Sequence, residues 1–382
     1  MVEQMRILIL SDRYLPDNSG TALRSAALAT GLVRQNATQA HVATLTRCML
    51  PGLAEGNQPP GDEDLDGVRV HRFSSEKALA LGLPTLHRRF HFDLIHGRGP
   101  RYGFYARMLG MLFRIPSIVE LNYIIPQQGL LRRAIWHYTL QSASRLVVLS
   151  DHARKWATED LGVSPERIDV VINGIDLSRF SPEKIGNEKK ALLGLDDHPI
   201  VGYVGTFIEW QGVLEFVRVA ALVAAQRTDA RFLMVGYGPD FERTKQMITE
   251  LALDDRFVLT GNVPPAEVPS CMMAMDVVLL ARPPQLLNQV AVPLKLLEAM
   301  AMGRAIVVTP VRGLCELVRD RETGVVAGPS TEDIASAVLG LLDDSNMRVA
   351  IGKSARQSVE TRYTWESAVS SLLTSYQRVL HK

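Results

Sequence analysis

The stretch "AVPLKLLEAMAMGRAIVVTPV", residues 291–311, decides the fold because it contains a loop, a helix and a buried strand in immediate succession. Pro293 suits the first helical position, since its missing N–H would have no partner there in any case. The apolar run AIVVTPV then follows the helix directly and is typical of a buried strand. A crossover helix followed by a buried strand is the connection from which parallel sheets are built.

The same alternation of helix and strand recurs along the chain. Two sets of short apolar runs are separated by residues 181–198, which are rich in Lys, Gly, Asp and Pro. The first set is RILILS, HVATLT, VRVHRF, DLIHG, SIVEL and RLVVLS, and the second is IVGYVG, RFLMVG, FVLTG, DVVLLA, AIVVTPV and GVVAG. We therefore predict an α/β protein with two doubly wound domains, joined by a linker near 181–198 and facing each other across a cleft that binds ligands.

Composition excludes several classes of protein. The 382 residues suffice for two domains, and a net charge of +1 gives no overall field for nucleic acid. No apolar run reaches the roughly 18 residues of a membrane span, and MVEQMRILIL lacks the cleavage site of a signal peptide. Cys48, Cys271 and Cys315 are scattered, which predicts neither a disulfide framework nor a metal cluster and indicates a cytoplasmic protein.

Glycine follows several strands of the second set, in VGYVGT (201–206), MVGYGPDF (234–241) and VLTGN (258–262). Glycine at the end of a strand lets a ligand approach the backbone closely. GYGP at 236–239 is a weak match to a dinucleotide fingerprint, because Phe241 stands where the third glycine belongs. An NAD site is therefore poorly supported.

Lys295 and Glu298 lie on the first turns of the helix that follows Pro293. The N-terminus of a helix is an anion site, and a lysine placed there against the helix dipole indicates a neighbouring anion. Glu298 can accept two hydrogen bonds from hydroxyls, and phosphate with a vicinal diol is what a nucleotide presents. The alternative, a surface Lys–Glu pair at spacing three, fits the spacing equally well.

PLKLLEAMAMGRAIVVT resembles the donor-binding helix of the GT-B glycosyltransferases, specifically the large retaining family 4. The resemblance covers most of the chain, from RILILSDRYLPDNSGTALRSAALATGLVRQ to the final RYTWESAVSSLLTSYQRVL, and the order of the motifs is specific. It implies a GT-B fold, with an acceptor-binding domain at 1–180 and a nucleotide-sugar-binding domain at 181–360. The last helix, within 361–382, would cross back to the first domain.

The resemblance also implies an activity, namely transfer of a sugar from a nucleotide diphosphate sugar to an acceptor hydroxyl with retention of configuration. Glu298 would hold the ribose, and Lys295 would lie near the diphosphate. The acceptor would be a glycan, a lipid-linked molecule or a small molecule. No metal or other cofactor is required, and the leaving phosphate takes the proton of the acceptor. The remaining implied donor-binding residues are Gly20, Gly205, Gly236, Asn262, Val263, Leu296 and Leu297.

Four positions depart from the family pattern. Val290 replaces the first Glu of the Glu–seven residues–Glu motif, and Thr206 and Gln211 replace the usual Arg and Lys of the diphosphate clamp. Asn122, in VELNY, stands near the place of a usual His. We interpret the chain as an active variant in which Arg282, in LLARPP, replaces the clamp arginine. The alternative for Arg282, a salt-bridged surface residue, is favoured by its sequence context.

His96, Glu120 and Asn122 close two strands of the first domain and are candidates to contact the acceptor or handle its proton. A structural role for each is an equally good interpretation. DEDLD at 62–66 is interpreted as a solvated turn rather than a metal motif.

Residues 84–92 and 124–140 combine basic, aromatic and apolar side chains, which suggests peripheral contact of the first domain with the inner face of a membrane. The favoured alternative is that Leu130, Leu131, Ile135 and Tyr138 form the core face of a helix.

Two other function classes stay open. With Val290, Thr206 and Gln211 in place, the chain would serve as a non-catalytic nucleotide- or glycan-binding subunit. A nucleotide-sugar epimerase of related architecture is the other class, although its expected His and carboxylate pattern is not evident.

Overall fold

A computed structural model of the chain describes residues 4–17, 19–35, 38–46, 60–122, 129–186, 188–195, 197–290 and 292–380. The chain divides into two compact units. Unit 1 comprises Met1–Gly174 with Trp365–Lys382, and unit 2 comprises Ile175–Thr364. The first boundary therefore lies at 174/175 where the sequence predicted 180/181, and the return to unit 1 begins at 365 where the sequence predicted 361.

Each unit contains one sheet, whose strands are parallel apart from β3. Among the described residues, the strands of unit 1 have the order β3-β4-β2-β1-β5-β6-β7-β8 and those of unit 2 the order β11-β10-β9-β12-β13-β14. The strands are β1 (Met5–Leu10), β2 (Thr38–Leu45), β3 (Gly61–Leu65), β4 (Val68–Phe73), β5 (Leu94–Arg98), β6 (Ser117–Leu121), β7 (Arg145–Val148), β8 (Ile168–Val170), β9 (Ile200–Val204), β10 (Arg231–Val235), β11 (Phe257–Gly261), β12 (Val277–Leu280), β13 (Ala305–Val308) and β14 (Val325–Val326). Both orders reverse direction once, beside β1 and beside β9, as in doubly wound folds, and the predicted α/β class is confirmed.

Helices connect the strands and cover the sheets. They are α1 (Gly20–Arg34), α2 (Glu76–Phe90), α3 (Gly99–Phe113), α4 (Leu130–Ser142), α5 (Asp151–Glu159), α6 (Glu188–Leu192), α7 (Val213–Gln226), α8 (Phe241–Glu250), α9 (Val268–Met273), α10 (Leu286–Val290), α11 (Leu294–Ala301), α12 (Arg312–Cys315), α13 (Thr331–Asp343), α14 (Ser345–Arg362) and α15 (Trp365–Leu380). Among the helices of the described ranges, none is both long enough and apolar enough to cross a bilayer.

Two predictions about connecting segments are wrong. Residues 61–65 form the edge strand β3, which pairs antiparallel with β4, rather than a solvated turn. Asp62 hydrogen-bonds His71 at 2.7 Å, and Glu63 forms an ion pair with Arg72, so charge rather than apolar alternation holds this strand. The predicted linker near 181–198 is part of unit 2, where Lys189 Nζ lies 2.6 Å from Glu267 Oε2.

The last helix, α15, belongs to unit 1, as the sequence predicted. Its Leu372 and Tyr376 side chains are fully buried in the core that also contains Ile7, Leu28 and Val147. The helix is also bonded to Asp169, whose carboxylate accepts hydrogen bonds of 2.6 Å from the buried Ser375 and from Arg378. The helix is therefore an integral part of the first core rather than an appendage.

We expect Leu372→Ala to lower the free energy of unfolding of unit 1 by about 2–5 kcal/mol, because it removes a fully buried side chain and leaves a cavity. Urea denaturation followed by circular dichroism measures the change. Gln377→Ala, at an exposed position of the same helix, is the control and should change stability by less than about 0.5 kcal/mol. Equal effects of the two substitutions would contradict the packing of α15.

Candidate functional site

The candidate site of unit 2 lies at the carboxyl edge of its sheet, where the strand order reverses between β9 and β12. The loops at 205–212 and 281–285 follow these two strands, and α10 and α11 come next in the chain. Ligands of doubly wound sheets bind at this position. The sequence-predicted residues Gly205, Thr206, Gln211, Gly236, Asn262, Val263 and Arg282 all follow strands at this one edge.

Arg282 is the principal charge of these loops. Its side chain is only 4% exposed, and one of its terminal nitrogens donates a hydrogen bond to Gln211 Oε1. Its guanidinium carbon lies 5.5 Å from the ring centre of Trp210, a cation–π contact. Within the described residues it has no carboxylate partner, and its Nε has no hydrogen-bond acceptor. The favoured alternative, a salt-bridged surface arginine, is therefore wrong.

Burial lowers the pKa of Arg282 to about 10, so the side chain still carries its positive charge at neutral pH. A buried cation with no anionic partner is costly, and its charge is most simply balanced by an anionic ligand. Gln211 occupies the position of the usual clamp lysine and here holds the arginine in place. In the sequence, Gln211 in place of lysine suggested a weaker diphosphate clamp. In the structure, the same Gln211 supports the positive charge of Arg282.

Asn288 and Gly212 join the two loops. The fully buried Asn288 side chain donates hydrogen bonds to the carbonyl oxygens of Trp210, at 2.8 Å, and Pro283, at 2.9 Å. Gly212 has a φ of +83°, and a Cβ there would collide with the carbonyl oxygen of Ala281. A Cβ at Gly236 would likewise strike the carbonyl oxygen of Gly205. These glycines permit loop-to-loop contact, whereas the sequence had suggested close approach of a ligand.

Helix α11 places Lys295 beside Glu298, with Nζ 3.1 Å from Oε2. Glu298 is almost fully buried, and the alignment of this pair leaves Oε2 without a true hydrogen bond among the described residues. The alternative, a Lys–Glu pair at spacing three, is therefore present, with a lysine that is 33% exposed and a glutamate that is almost fully buried. A buried carboxylate oxygen with spare acceptor capacity suits a ligand hydroxyl.

One other prediction on this segment needs correction. The helix begins at Leu294, so Pro293 is its cap residue rather than its first residue. The side chains of Leu296 and Leu297 are fully buried in the core, and the N–H of Leu296 is bonded to the carbonyl of Pro293 at 3.2 Å, while their role in donor binding stays a prediction. Val290 is also buried, at the end of α10, and its aliphatic side chain cannot replace a sugar-binding carboxylate.

A pocket of about 530 Å³ opens at the same edge, among the loops after β12 and β13 and the first turns of α7 and α13. Arg282, Gly212 and Thr309 line it, whereas Lys295 and Glu298 do not.

In unit 1, Glu120 is fully buried between two arginines. Arg24 Nη2 donates to Glu120 Oε2 at 3.0 Å, and Arg98 Nε donates to Oε1 at 2.8 Å. Burial alone would raise the pKa of Glu120, but the two arginines outweigh it and hold the pKa far below its usual range. The carboxylate is therefore ionised and already bound, which favours the structural interpretation over direct contact with an acceptor.

His96 is buried beside this network. Its Nδ1 lies 2.8 Å from the hydroxyl of Tyr376, and its Nε2 lies 3.8 Å from Glu120 Oε2. Burial lowers the pKa of His96 to about 4 although Glu120 opposes the shift, so the ring is neutral at pH 7. Burial raises the pKa of Tyr376 well above normal, so its hydroxyl is protonated and its contact with His96 is a hydrogen bond between two neutral groups. His96 thus connects α15 to the sheet.

Two predicted residues of unit 1 are better placed for contact with a ligand. Asn122 follows β6 and is half-buried, and its Oδ1 has no hydrogen-bond partner in the described part of the chain. Gly20 is the exposed first residue of α1, after the cap residue Ser19. Both lie at the carboxyl edge of the sheet of unit 1, where its strands present their loops.

Family models match both units. A glycosyl transferase 4-like domain matches residues 19–174, and the glycosyl transferases group 1 domain matches residues 198–344. The chain belongs to the group 1 glycosyltransferases of GT-B fold. The resemblance on which the sequence analysis relied is thereby confirmed.

Individual relatives are similar to this glycosyltransferase. The 2-deoxystreptamine glucosyltransferase of Streptomyces kanamyceticus is 30% identical over 65% of the chain, and the chain spans 64% of that relative's length. The GDP-mannose-dependent alpha-mannosyltransferase of Mycolicibacterium smegmatis is 27% identical over 98% of each protein. Sucrose-phosphate synthase of Thermosynechococcus elongatus shares the fold, with a TM-score of 0.81 at 20% identity over 99% of this chain and all of that one. HepE of Anabaena, solved with UDP, gives 0.78 at 19% identity over 98% of this chain and all of that one.

Sequence reasoning missed Trp210, Asn288, Arg24 and Tyr376. Trp210 directly precedes a position already suspected, and Arg24 is the one charged residue in the small and apolar run TALRSAALATG, so both had a signal. Asn288 and Tyr376 had none, because their importance comes from tertiary hydrogen bonds.

We expect the free energy of unfolding to fall as the pH decreases from about 6.5 to 4. Unfolded histidine binds a proton near pH 6.5, whereas burial keeps the folded pKa of His96 and of His41 at about 4, so protons favour unfolding in this window. Each histidine contributes a slope of up to roughly 1.4 kcal/mol per pH unit. Urea unfolding in steps across this window measures the slope. His96→Gln should reduce it, and a slope unchanged by His96→Gln would contradict the burial of the ring.

Proposed function

We propose that the protein transfers a sugar from a nucleotide diphosphate sugar to an acceptor hydroxyl with retention of configuration. The observation that carries the proposal is the buried Arg282, which has no carboxylate partner among the described residues and lies at the edge where the strand order of unit 2 reverses. HepE of Anabaena, which shares the fold, was solved with UDP and with UDP-glucose. The names of other relatives specify a glucosyltransferase and a GDP-mannose-dependent enzyme, so several donors fit the family.

In this reaction the bond between the anomeric carbon and the diphosphate oxygen breaks, and the electron pair stays on the diphosphate. Arg282, Lys295 and the first N–H groups of α11 stabilise the developing charge, and such fixed donors are each worth about 10²–10³ in rate. The acceptor oxygen bonds to the anomeric carbon on the same face, and its proton passes to the leaving phosphate. Glu298 accepts hydrogen bonds from the ribose hydroxyls. Two protein cations make a resident metal unnecessary, and activity retained in EDTA is the expected result.

The acceptor is a glycan, a lipid-linked molecule or a small molecule that binds to unit 1, and Asn122 is the half-buried predicted acceptor residue at its carboxyl edge. Asn262 and Val263 lie after β11 and are proposed to face the base.

Cys271 and Cys315 are free thiols, which supports a cytoplasmic location.

The second candidate function is nucleotide binding without turnover. It is favoured by Val290, since a buried aliphatic residue stands where relatives of the usual pattern place a sugar-binding carboxylate. The two functions are separated by measuring release of UDP or GDP from the donor in the presence of a mixture of acceptors. Release supports the transferase, whereas donor binding without release supports the non-catalytic function.

The first test is a thermal-shift screen with UDP, GDP, ADP, TDP and their common sugars. We expect one diphosphate to stabilise the protein, by about 2.7 kcal/mol at a hundred times its dissociation constant. Arg282→Met should abolish this shift while leaving the ligand-free protein equally or more stable, because an unbalanced buried cation is removed. Arg319→Met is the control, since Arg319 is an exposed residue paired with Glu322 at 2.6 Å, and it should keep the shift. No shift with any nucleotide in the unmodified protein would refute the donor site.

The paired residues of α11 should separate binding from turnover. Glu298→Ala should weaken donor binding by about 1.5–3 kcal/mol, the loss of hydrogen bonds to a charged group. Lys295→Ala should lower kcat more than it raises KM, because its charge acts mainly on the leaving diphosphate. Calorimetric titration and initial rates measure the two effects. Unchanged affinity and rate in both variants would remove these residues from the site.

A further inference from the structure

The outer side of α4 carries a row of exposed apolar residues. Leu131, Ile135 and Tyr138 follow one another at helical spacing and lie on one side, and Leu130 precedes them. Leu130 is 87% exposed and Leu131 is 74% exposed. The buried residues Thr139 and Leu140, with the partly buried Trp136, form the side that packs against unit 1. The interpretation of the first four residues as a core face, favoured by the sequence, is therefore wrong.

The end of α3 extends this row. The hydroxyl of Tyr138 lies 3.4 Å from the sulfur of Met111, and Met111 and Leu112 are both exposed. Arg107 of α3 also donates to Ser142 of α4 at 2.9 Å, which fixes the two helices side by side. Contiguous exposed apolar side chains of this extent on two helices mark an interaction surface.

The exposed charges that α4 and the end of α3 themselves carry are of one sign. Arg132 and Arg133 are exposed on α4, and Arg114 is exposed at the end of α3. From residue 99 to residue 150 the sequence contains a single acidic residue, Glu120, and that residue is fully buried between Arg24 and Arg98. The surface formed by α4 and the end of α3 is therefore cationic and apolar, with no exposed acid contributed by this stretch.

We propose that this α3–α4 surface docks on an anionic lipid bilayer, with α4 lying in the plane of the headgroups. A helix that combines exposed Leu, Ile and Tyr with arginines and lacks acids has the chemistry of an interfacial helix. Anionic headgroups attract the exposed Arg114, Arg132 and Arg133, while the apolar row enters the acyl boundary. A second copy of the chain is a poorer occupant, because a twofold contact would set the same arginines against each other.

The other segment that the sequence suggested for membrane contact does not share this surface chemistry. In residues 84–92, Leu86 and Phe92 are buried, and the ring of Phe90 is covered by Arg89 and Arg69. Of the suggested stretch 124–140, residues 124–128 lie outside the described residues. The docking surface is thus assigned to α4 and the end of α3 alone.

Because α4 follows Asn122 closely in sequence, docking would favour a lipid-linked acceptor, an inference that rests on the proposed function.

The test is flotation of the full chain with vesicles of neutral phosphatidylcholine, with or without about 30% phosphatidylglycerol, at roughly 0.1 M and 0.5 M salt. We expect binding to the anionic vesicles alone, weakened at high salt. Arg132→Gln with Arg133→Gln should lower the partition coefficient about 25-fold, since each arginine near an anionic surface is worth about fivefold. Leu130→Asn with Leu131→Asn should lower it at least roughly tenfold, because apolar burial is lost.

The matched control is Arg154→Gln with Lys155→Gln, which removes two exposed cations from α5, where Asp151, Glu159 and Asp160 are also exposed. It should bind like the unmodified chain. No binding to anionic vesicles, or equal losses in control and α4 variants, would overturn the proposal. A dimer in light scattering that the α4 substitutions dissolve would overturn it in favour of self-association. All α4 variants should keep the thermal shift with the nucleotide, so failure of docking and failure of the donor site are separately visible.

Discussion

The site of unit 2 depends on the buried guanidinium of Arg282, which has no carboxylate beside it among the described residues. Such a charge persists only where its surroundings hold it firmly. Gln211 accepts from Arg282, Trp210 lies against it, and Asn288 ties the backbone on both sides. The loops after β9 and β12 are therefore held together around one buried cation.

The buried arginines of unit 1 differ from Arg282 because they share a carboxylate, Glu120. Asn173 and the carbonyl of Val171 also accept hydrogen bonds from Arg24, whereas Nη2 of Arg98 has no acceptor among the described residues. Removing one partner of such a network lowers the stability of a protein far more than replacing the whole network by well-packed apolar residues. The buried arginines of unit 1 are thus ion-paired with a carboxylate, whereas Arg282 of unit 2 has no such pair within the described residues.

The periodicity of apolar residues and the order of the motifs predicted most strands and the two sheets. Apolar runs such as RFLMVG and SIVEL identified most strands, because parallel strands are buried on both faces. The restart of these runs after residues 181–198 indicated two sheets. The apolar pattern failed at β3, whose residues GDEDL carry no apolar signal and whose pairing depends on His71 and Arg72. The sequence also favoured a surface position for Arg282 and a core position for the apolar row of α4, and both are wrong. Contacts between distant segments decide which side of an element faces the core. The carboxyl-edge position of the donor residues was predictable from topology, but the partnership of Gln211 with Arg282 was not.

The placement of α15 has a consequence for synthesis. Unit 2 is one continuous segment, whereas unit 1 needs residues from both ends of the described chain, including Leu372 and Tyr376 of its core. On the ribosome, the segment before residue 175 must wait while the roughly 190 residues of unit 2 are made, a delay of about 10–40 s at the usual 5–20 residues per second. During that interval His96 lacks its tyrosine and the apolar side of α1 is uncovered. The nascent chain therefore completes its second unit before its first, and the waiting sheet is where a chaperone has most to protect.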